Sequence, residues 1–321
     1  MPAQTKFELK PGAATREAFG RALVELGREN KDIVVCDADL SKSTMTTYFA
    51  KEFPERFFSF GIAESNMVAA GCGMAYAGKI PFVASFSAFV MNKGFEQLRV
   101  AAAYPNLNVK VVGTHSGISI GEDGPSQMSV EEIALACSLV NFTVIAPSDE
   151  PSAKALVKAA AAHVGPVFIR TGRPKTLTIY NADQKFEIGK SIEVMQGKDV
   201  TVIANGLLVA QAILAAESLE AEGISVRVVD MHTVKPIDRQ AIERAAAQTG
   251  AIVVAEEHLV DGGLGVRVAQ VVAETQPCPM EFVGIEETYA ESGQPEELLE
   301  KYGLVANNVA AALRKVVARK K

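Results

Sequence analysis

The sequence predicts an α/β fold: two open α/β domains in succession, each built on mostly parallel strands. Three observations predict it. Short β-branched runs alternate with longer helical patterns up to residue 170. A polar interval over 174–197 breaks that alternation, and it then resumes to the end of the chain. The length of 321 residues supports two domains with their own cores. Strand and helix in alternation imply crossover helices between parallel neighbours.

In the first half, residues 32–36, 80–86, 108–114, 142–146 and 166–170 read as buried strands. Helices are expected over 13–28, 64–77, 87–104, 129–139 and 150–163. The interval 174–197 reads as a linker with the domain boundary near 185, giving domains of 1–185 and 186–321. In the second half, 199–206 is a strand, and 207–222 is an amphipathic helix stopped by Gly223. A strand at 224–232 follows, then a helix over 239–249 after Pro236, closed by Gly250. Strands at 251–258 and 280–287 and helices at 264–275, 294–302 and 307–320 complete the domain.

Composition narrows the function classes. Hydrophobic residues at 48% and charged residues at 22% argue against disorder. Lys and Arg number 32 against 38 Asp and Glu, so the net charge of −6 gives no overall pull toward nucleic acid or anionic membrane. The cysteines at 36, 72, 137 and 278 form no CxxC pair, which argues against a zinc ribbon or a redox dithiol. Cys36, Cys72 and Cys137 lie in apolar runs and read as buried thiols of a reducing compartment. The opening residues lack the apolar core of a signal peptide. The most apolar stretch, Met67 to Met91, is split by Lys79 into parts shorter than the roughly 20 residues that span a bilayer. A cytoplasmic protein is expected.

Ligands of open α/β sheets bind beyond the carboxyl ends of the strands, so polar residues after apolar strands are the candidates. The segment Asp37-Ala38-Asp39-Leu40-Ser41-Lys42-Ser43 offers two acids and two hydroxyls, for a sugar, a metal, or only an Asx cap on the next turn. Glu64 follows Phe60-Gly61-Ile62-Ala63 and opens a helix that is apolar almost all round. A carboxyl there is expected to be desolvated, with a raised pKa, although an acid at a helix N-terminus is also favourable on dipole grounds alone. His115 ends a strand before a loop with glycines at 117, 121 and 124, an arrangement that can hold an anion. Arg170, in Arg170-Thr171-Gly172-Arg173, suits phosphate or carboxylate binding or an interdomain ion pair. Phe86 and Phe89 are core residues by spacing, or a stacking surface for a flat heterocycle. The Gly262-Gly263-Leu264-Gly265 cluster reads as a strand-to-helix turn, and the terminal Ala-Arg-Lys-Lys as a solvated helix end.

Taken together, these segments resemble the C-terminal half of the transketolases. The segment Phe60 to Glu64 is similar to the one carrying that family's catalytic glutamate. His115 to Pro125, with Gly-Glu-Asp-Gly-Pro at 121–125, is similar to its substrate loop, and Ile285 to Leu304 to the tail of its last domain. The resemblance covers nearly the whole chain. The family's Gly-Asp-Gly motif for diphosphate and Mg²⁺ is missing, so the resemblance implies the second subunit of a split transketolase. It would comprise a pyrimidine-binding domain (1–185) and a C-terminal domain (186–321). The implied partner is an N-terminal subunit that holds Mg²⁺ and the diphosphate of thiamine diphosphate, in an α₂β₂ assembly that also self-associates through both domains.

The resemblance also implies roles. Glu64 would hydrogen-bond the aminopyrimidine of the cofactor, with Phe89 stacked on it and Phe86 alongside. Asp39 would lie in the cofactor-contacting turn. Arg16, Ser43, His115 and Arg170 would hold a sugar phosphate, and Asp123 a donor hydroxyl. Gln127 stands where the family often has a His, and it cannot titrate. The implied reaction moves a two-carbon ketol unit between phosphorylated sugars such as pentose phosphates. Three alternatives stay open: the β subunit of the decarboxylating component of a 2-oxo acid dehydrogenase, chemistry like that of deoxyxylulose-phosphate synthase, and a non-catalytic assembly protein.

Overall fold

The computed structural model describes residues 7–320. The opening residues 1–6, within the stretch inspected for a signal peptide, lie outside it. The chain begins with β1 (Lys10–Ala14) and α1 (Thr15–Glu29). In α1, Ala18, Phe19, Ala22, Leu23 and Leu26 recur at helical spacing and form the buried stripe. β2 (Ile33–Asp37) is buried at every position. Short helices α2 (Ser41–Thr44) and α3 (Thr47–Glu52) and strand β3 (Phe57–Ser59) lead to α4 (Glu64–Tyr76).

β4 (Ile80–Phe86) runs directly into α5 (Ser87–Gln97), which continues as a π-helical segment over Leu98–Ala103. Then come β5 (Lys110–Thr114), α6 (Glu132–Ser138), β6 (Thr143–Ile145), α7 (Glu150–Ala162) and β7 (Val167–Arg170). α7 starts where Asp149 and Ser152 cap each other's backbone N–H groups reciprocally. The interval expected to be a linker holds β8 (Lys175–Thr178) and β9 (Ile192–Met195). The remainder is β10 (Val200–Ala204), α8 (Leu208–Glu220), β11 (Val226–Asp230), β12 (Thr233–Lys235), α9 (Arg239–Thr249) and β13 (Ile252–Leu259). It closes with α10 (Leu264–Glu274), β14 (Met280–Ile285), α11 (Pro295–Lys301) and α12 (Ala306–Ala318).

The first sheet has strand order β12-β6-β7-β5-β4-β2-β3, parallel except for β12 at its edge. The second has order β14-β13-β10-β11-β9, with β9 antiparallel at the edge. β1 and β8 form a separate antiparallel pair. The two halves share a sheet: β12, from the second half, completes the edge of the first sheet. Among the described residues, no helix is long and apolar enough to cross a membrane. All four cysteines are free, and burial pushes the thiol of Cys36 up to about 12. The C-terminal end is tied down more than expected, because Arg319 donates to the Met280 carbonyl and Lys320 to that of Asp199.

Register decides where the first sheet presents its chemistry. Asp37 pairs with Ala84, Phe86 with Thr114 and Gly113 with Arg170, so four adjacent strands end level with one another. The loop that leaves β5 starts with His115 at φ 57 and Gly117 at φ 79, both in the left-handed region. A Cβ at Gly117 would stand 2.1 Å from the Glu257 carboxyl carbon. Gly117→Ala should therefore cost about 1–3 kcal/mol through strain and overpacking, read as a lower urea midpoint. An unchanged midpoint would show that this approach is not tight.

Candidate active site

The site lies at the carboxyl ends of the strands of the first sheet, as the strand rule requires. Glu64 opens α4 and is 2% exposed. Its Oε2 accepts from Lys93 Nζ at 3.2 Å. Lys93 Nζ also sits 4.6 Å from the ring centroid of Phe89, one helical turn earlier on α5. Phe89 and Phe86 stack with centroids 5.6 Å apart and planes 18° apart. His115 packs on the other side of Phe86, with centroids 3.9 Å apart. Glu64, the Lys93 ammonium, Phe89, Phe86 and His115 thus form one row of successive contacts. α4 is not buried all round: Ala69, Gly73 and Tyr76 are exposed. Its small residues make the helix apolar without marking a face, and only Met67, Val68, Gly71 and Cys72 pack inward with Glu64.

A basic group adjoins the row. Arg16 Nη1 donates to the Ser43 carbonyl at 2.6 Å and lies 3.4 Å from His115 Nε2. Its Nε is buried without a hydrogen-bond partner, so the guanidinium retains an unused donor here. His115 Nδ1 lies 2.9 Å from Thr114 Oγ1. Burial first, then the charges of Arg16 and Arg173, push His115 down to about 3, so it is a neutral ring at pH 7. Arg173 is half-buried and donates to the Ile120 carbonyl and to Glu122, which fixes it on the 117–127 loop.

Arg170 is placed elsewhere. It is 5% exposed, its Nε donates to Glu132 at 2.6 Å, and its Nη2 donates to the Glu257 carbonyl at 2.7 Å. The Glu257 carboxylate stands 3.6 Å from the same nitrogen. Arg170 thus makes the interdomain ion pair that the sequence allowed, and Arg173 is the arginine whose charge acts on Arg16 and His115. The physical reason is position: Arg170 is the last residue of a strand buried at every position, whereas Arg173 lies past the strand end.

The other candidates fall as follows. Asp37 is buried and caps its turn, accepting from Leu40 N at 2.6 Å, Thr44 Oγ1 at 2.7 Å and Thr46 Oγ1 at 3.0 Å. Asp39 is exposed at φ 65 at the tip of that turn. Asp123 is exposed on the glycine-rich loop, and Gln127 donates to Ser126 Oγ at 3.1 Å. The Gly262–Gly265 turn binds no external anion: Glu256 accepts from the N–H groups of Leu264 and Gly265, each at 2.8 Å. Among the described residues, no group of three or more His, Cys, Asp or Glu side chains could hold a metal ion.

Comparison with known proteins agrees with this layout. Residues 11–177 match the model of the transketolase pyrimidine-binding domain and 189–309 that of the transketolase C-terminal domain. The chain belongs to the transketolase family. It is 43% identical over 298 residues to a putative transketolase C-terminal section of Methanocaldococcus jannaschii, covering 92% of this chain and 93% of that protein. It is 38% identical to the 6-deoxy-6-sulfo-D-fructose transketolase subunit SqwH of a Clostridium species, covering 95% of each. A solved split-gene transketolase, described as an inactive β4 tetramer, superposes with TM-score 0.91 at 49% identity, covering 97% of this chain and all of that one. Against the transketolase of Homo sapiens the chain spans 51% of that protein's length. It is a split transketolase-type C-terminal section.

Two arginines of this transketolase chain should behave oppositely. Arg170→Ala strands Glu132 and Glu257 in a buried site and should remove roughly 3–5 kcal/mol of stability in urea denaturation. Arg173→Ala, which removes a half-exposed pair, should stay within about 1 kcal/mol. Equal effects would refute the division of roles. His115 adds an acid sensitivity. Its folded pKa lies far below the ordinary value of 6.5, so between the two the unfolded chain binds more protons. Its contribution is whole above that ordinary value and is lost as pH falls. His115→Asn should therefore lose less stability than the wild type between about pH 7.5 and 5; equal losses would mean that the ring is not desolvated.

Proposed function

We propose that this chain is the C-terminal subunit of a two-chain, thiamine-diphosphate-dependent transketolase that moves a two-carbon ketol unit between phosphorylated sugars. The observation that carries this reading is Glu64, a buried carboxyl joined through the Lys93 ammonium to the face of Phe89. A flat, nitrogen-bearing heterocycle needs that pair of surfaces: a carboxyl group in the ring plane and an aromatic ring above it. When bound, the cofactor supplies the carbanion chemistry that no side chain provides. Glu64 holds the proton at the ring nitrogen, Phe89 and Phe86 fix the plane, and Asp39 borders the cofactor turn.

Arg16, Arg173 and neutral His115, with Ser43 beside them, form the cradle for the terminal anion of the sugar. Asp123 reaches a donor hydroxyl. Gln127 offers one donor and one acceptor at fixed charge. The cradle has no evident task for a small 2-oxo acid, which disfavours the dehydrogenase alternative. The diphosphate and Mg²⁺ belong to an N-terminal partner subunit in an α₂β₂ assembly. Residues 1–185 serve as the pyrimidine-binding domain and 186–321 as the C-terminal domain, in the cytoplasm.

A second substrate class is favoured by one specific observation. SqwH, a relative over nearly the full chain, is named for a 6-deoxy-6-sulfo sugar. A sulfonate presents three oxygens and a negative charge, so the same two arginines can hold it.

The test is to purify the chain alone and with an N-terminal subunit, titrate thiamine diphosphate and Mg²⁺, and assay ketol transfer from phospho- and sulfo-ketoses. Binding and turnover are expected only with the partner. Glu64→Gln should lower kcat about 10²- to 10⁴-fold. Arg173→Ala should raise KM for the phosphorylated donor about tenfold or more. Full turnover by the Glu64→Gln complex would overturn the assignment.

A further inference from the structure

Lys93 has no task in the reaction proposed above, yet it lies at its centre. It follows Phe89 by four residues on α5, which places both side chains on one helical face. Its ammonium meets two groups at once, Glu64 Oε2 at 3.2 Å and the Phe89 ring centroid at 4.6 Å. Its backbone is fixed: Ser65 Oγ, on α4, donates to the Lys93 carbonyl at 2.5 Å. The next residue, Gly94, lets the helices close up, since a Cβ there would stand 3.0 Å from Val68 Cγ2. The side chain is not fixed in the same way. It is 49% exposed and can turn outward without disturbing the core.

An aminopyrimidine placed with its ring nitrogen toward Glu64 and its face on Phe89 would use the same two surfaces. An ammonium over the ring and a heterocycle on the ring exclude each other. We infer that Lys93 is a placeholder for the aminopyrimidine: its ammonium fills the position between Glu64 and Phe89 in the cofactor-free chain and is displaced when the cofactor seats. This inference rests on the thiamine diphosphate reading of the site. A buried carboxylate with no partner is costly. Lys93 supplies the partner until the cofactor does. A half-exposed ion pair and one cation–π contact are each weak, so displacement is feasible, but the contact still competes with binding.

The test is cofactor affinity, measured by calorimetry on the complex with the N-terminal subunit, with no turnover required. Lys93→Met should bind thiamine diphosphate about five- to tenfold more tightly than the wild type, and Lys93→Arg, which restores a cation, should return toward wild-type affinity. Circular dichroism checks that each variant is folded, and Lys93→Gln replaces the Met variant if that one is not. Unchanged or weaker binding by the folded neutral variants, with normal binding by the wild type, would overturn the placeholder role alone. Absence of binding by wild type and variants alike would overturn the cofactor reading and this inference with it.

Discussion

The arrangement of the site depends on one buried electrostatic junction. Arg170 at the end of β7, Glu132 at the start of α6 and Glu257 on β13 meet where the two sheets face each other. Two carboxylates and one guanidinium out of water are a weak source of stability, but a strong source of specificity once satisfied, since breaking the set strands a charge. The set is satisfied except at Glu257 Oε2, which has no hydrogen-bond partner and only the 3.6 Å ion pair with Arg170. Ser129 Oγ donates to Glu132, Ser119 N donates to Glu257, and the Glu257 carbonyl accepts from Arg170. Burial pushes the Glu257 carboxyl up, and the Arg170 charge works against that shift. Ser119 and Ser129 both belong to the segment that leaves β5, and Leu259 N donates to the Val130 carbonyl. The second half thereby fixes the loop carrying His115, Asp123 and Gln127.

The second half reaches the same loop at a second place. A Cβ at Gly121 would meet Pro295 and one at Gly124 would meet Ser292, both from the approach to α11. Backbone this close needs glycine on the loop side, and both glycines have positive φ. The glycines that first read as an anion-binding loop thus serve contact between the halves. Arg16 from α1 and Arg173 are the basic groups whose charges reach His115.

This contrast marks what was legible in the sequence. The buried strands and their crossover helices were readable because each carries a continuous β-branched or periodic apolar signal. β1, β8, β9 and β12 were not, because each is short and lies at a sheet edge or in a separate pair, without that signal. β1 pairs with β8 across more than half the domain's length of chain, and β12 with a strand from the first half of the chain, so their partners are invisible to a local reading. In the site, Glu64, Phe86, Phe89 and His115 were readable as polar or aromatic residues at strand ends. Arg170 and Arg173 were interchangeable as letters. A rule could have separated them: in a parallel sheet covered on both faces, the last strand residue is still inside, and the residue past the turn is not. Lys93 carried a weaker signal, its four-residue spacing from Phe89, which is common on any helix.

The open side of the row bears on the reaction class. Transfer chemistry through a reactive bound carbanion requires exclusion of water, or hydrolytic and protonation side reactions win. In the single chain, Phe89 is only half-buried and Lys93 is half-exposed, so one side of the row faces outward. The neighbouring face of α4 carries exposed Ala69, Gly73 and Tyr76, apolar surface beside a polar site. A surface that covered this face would also close the row over Lys93 and Phe89, strengthening the electrostatic contacts within it. Under the two-chain reading, the contact that brings the diphosphate and Mg²⁺ would also cover the exposed side of the row. Lys93 fits this logic, since an ammonium that partners buried Glu64 in the single chain is expendable once a heterocycle replaces it.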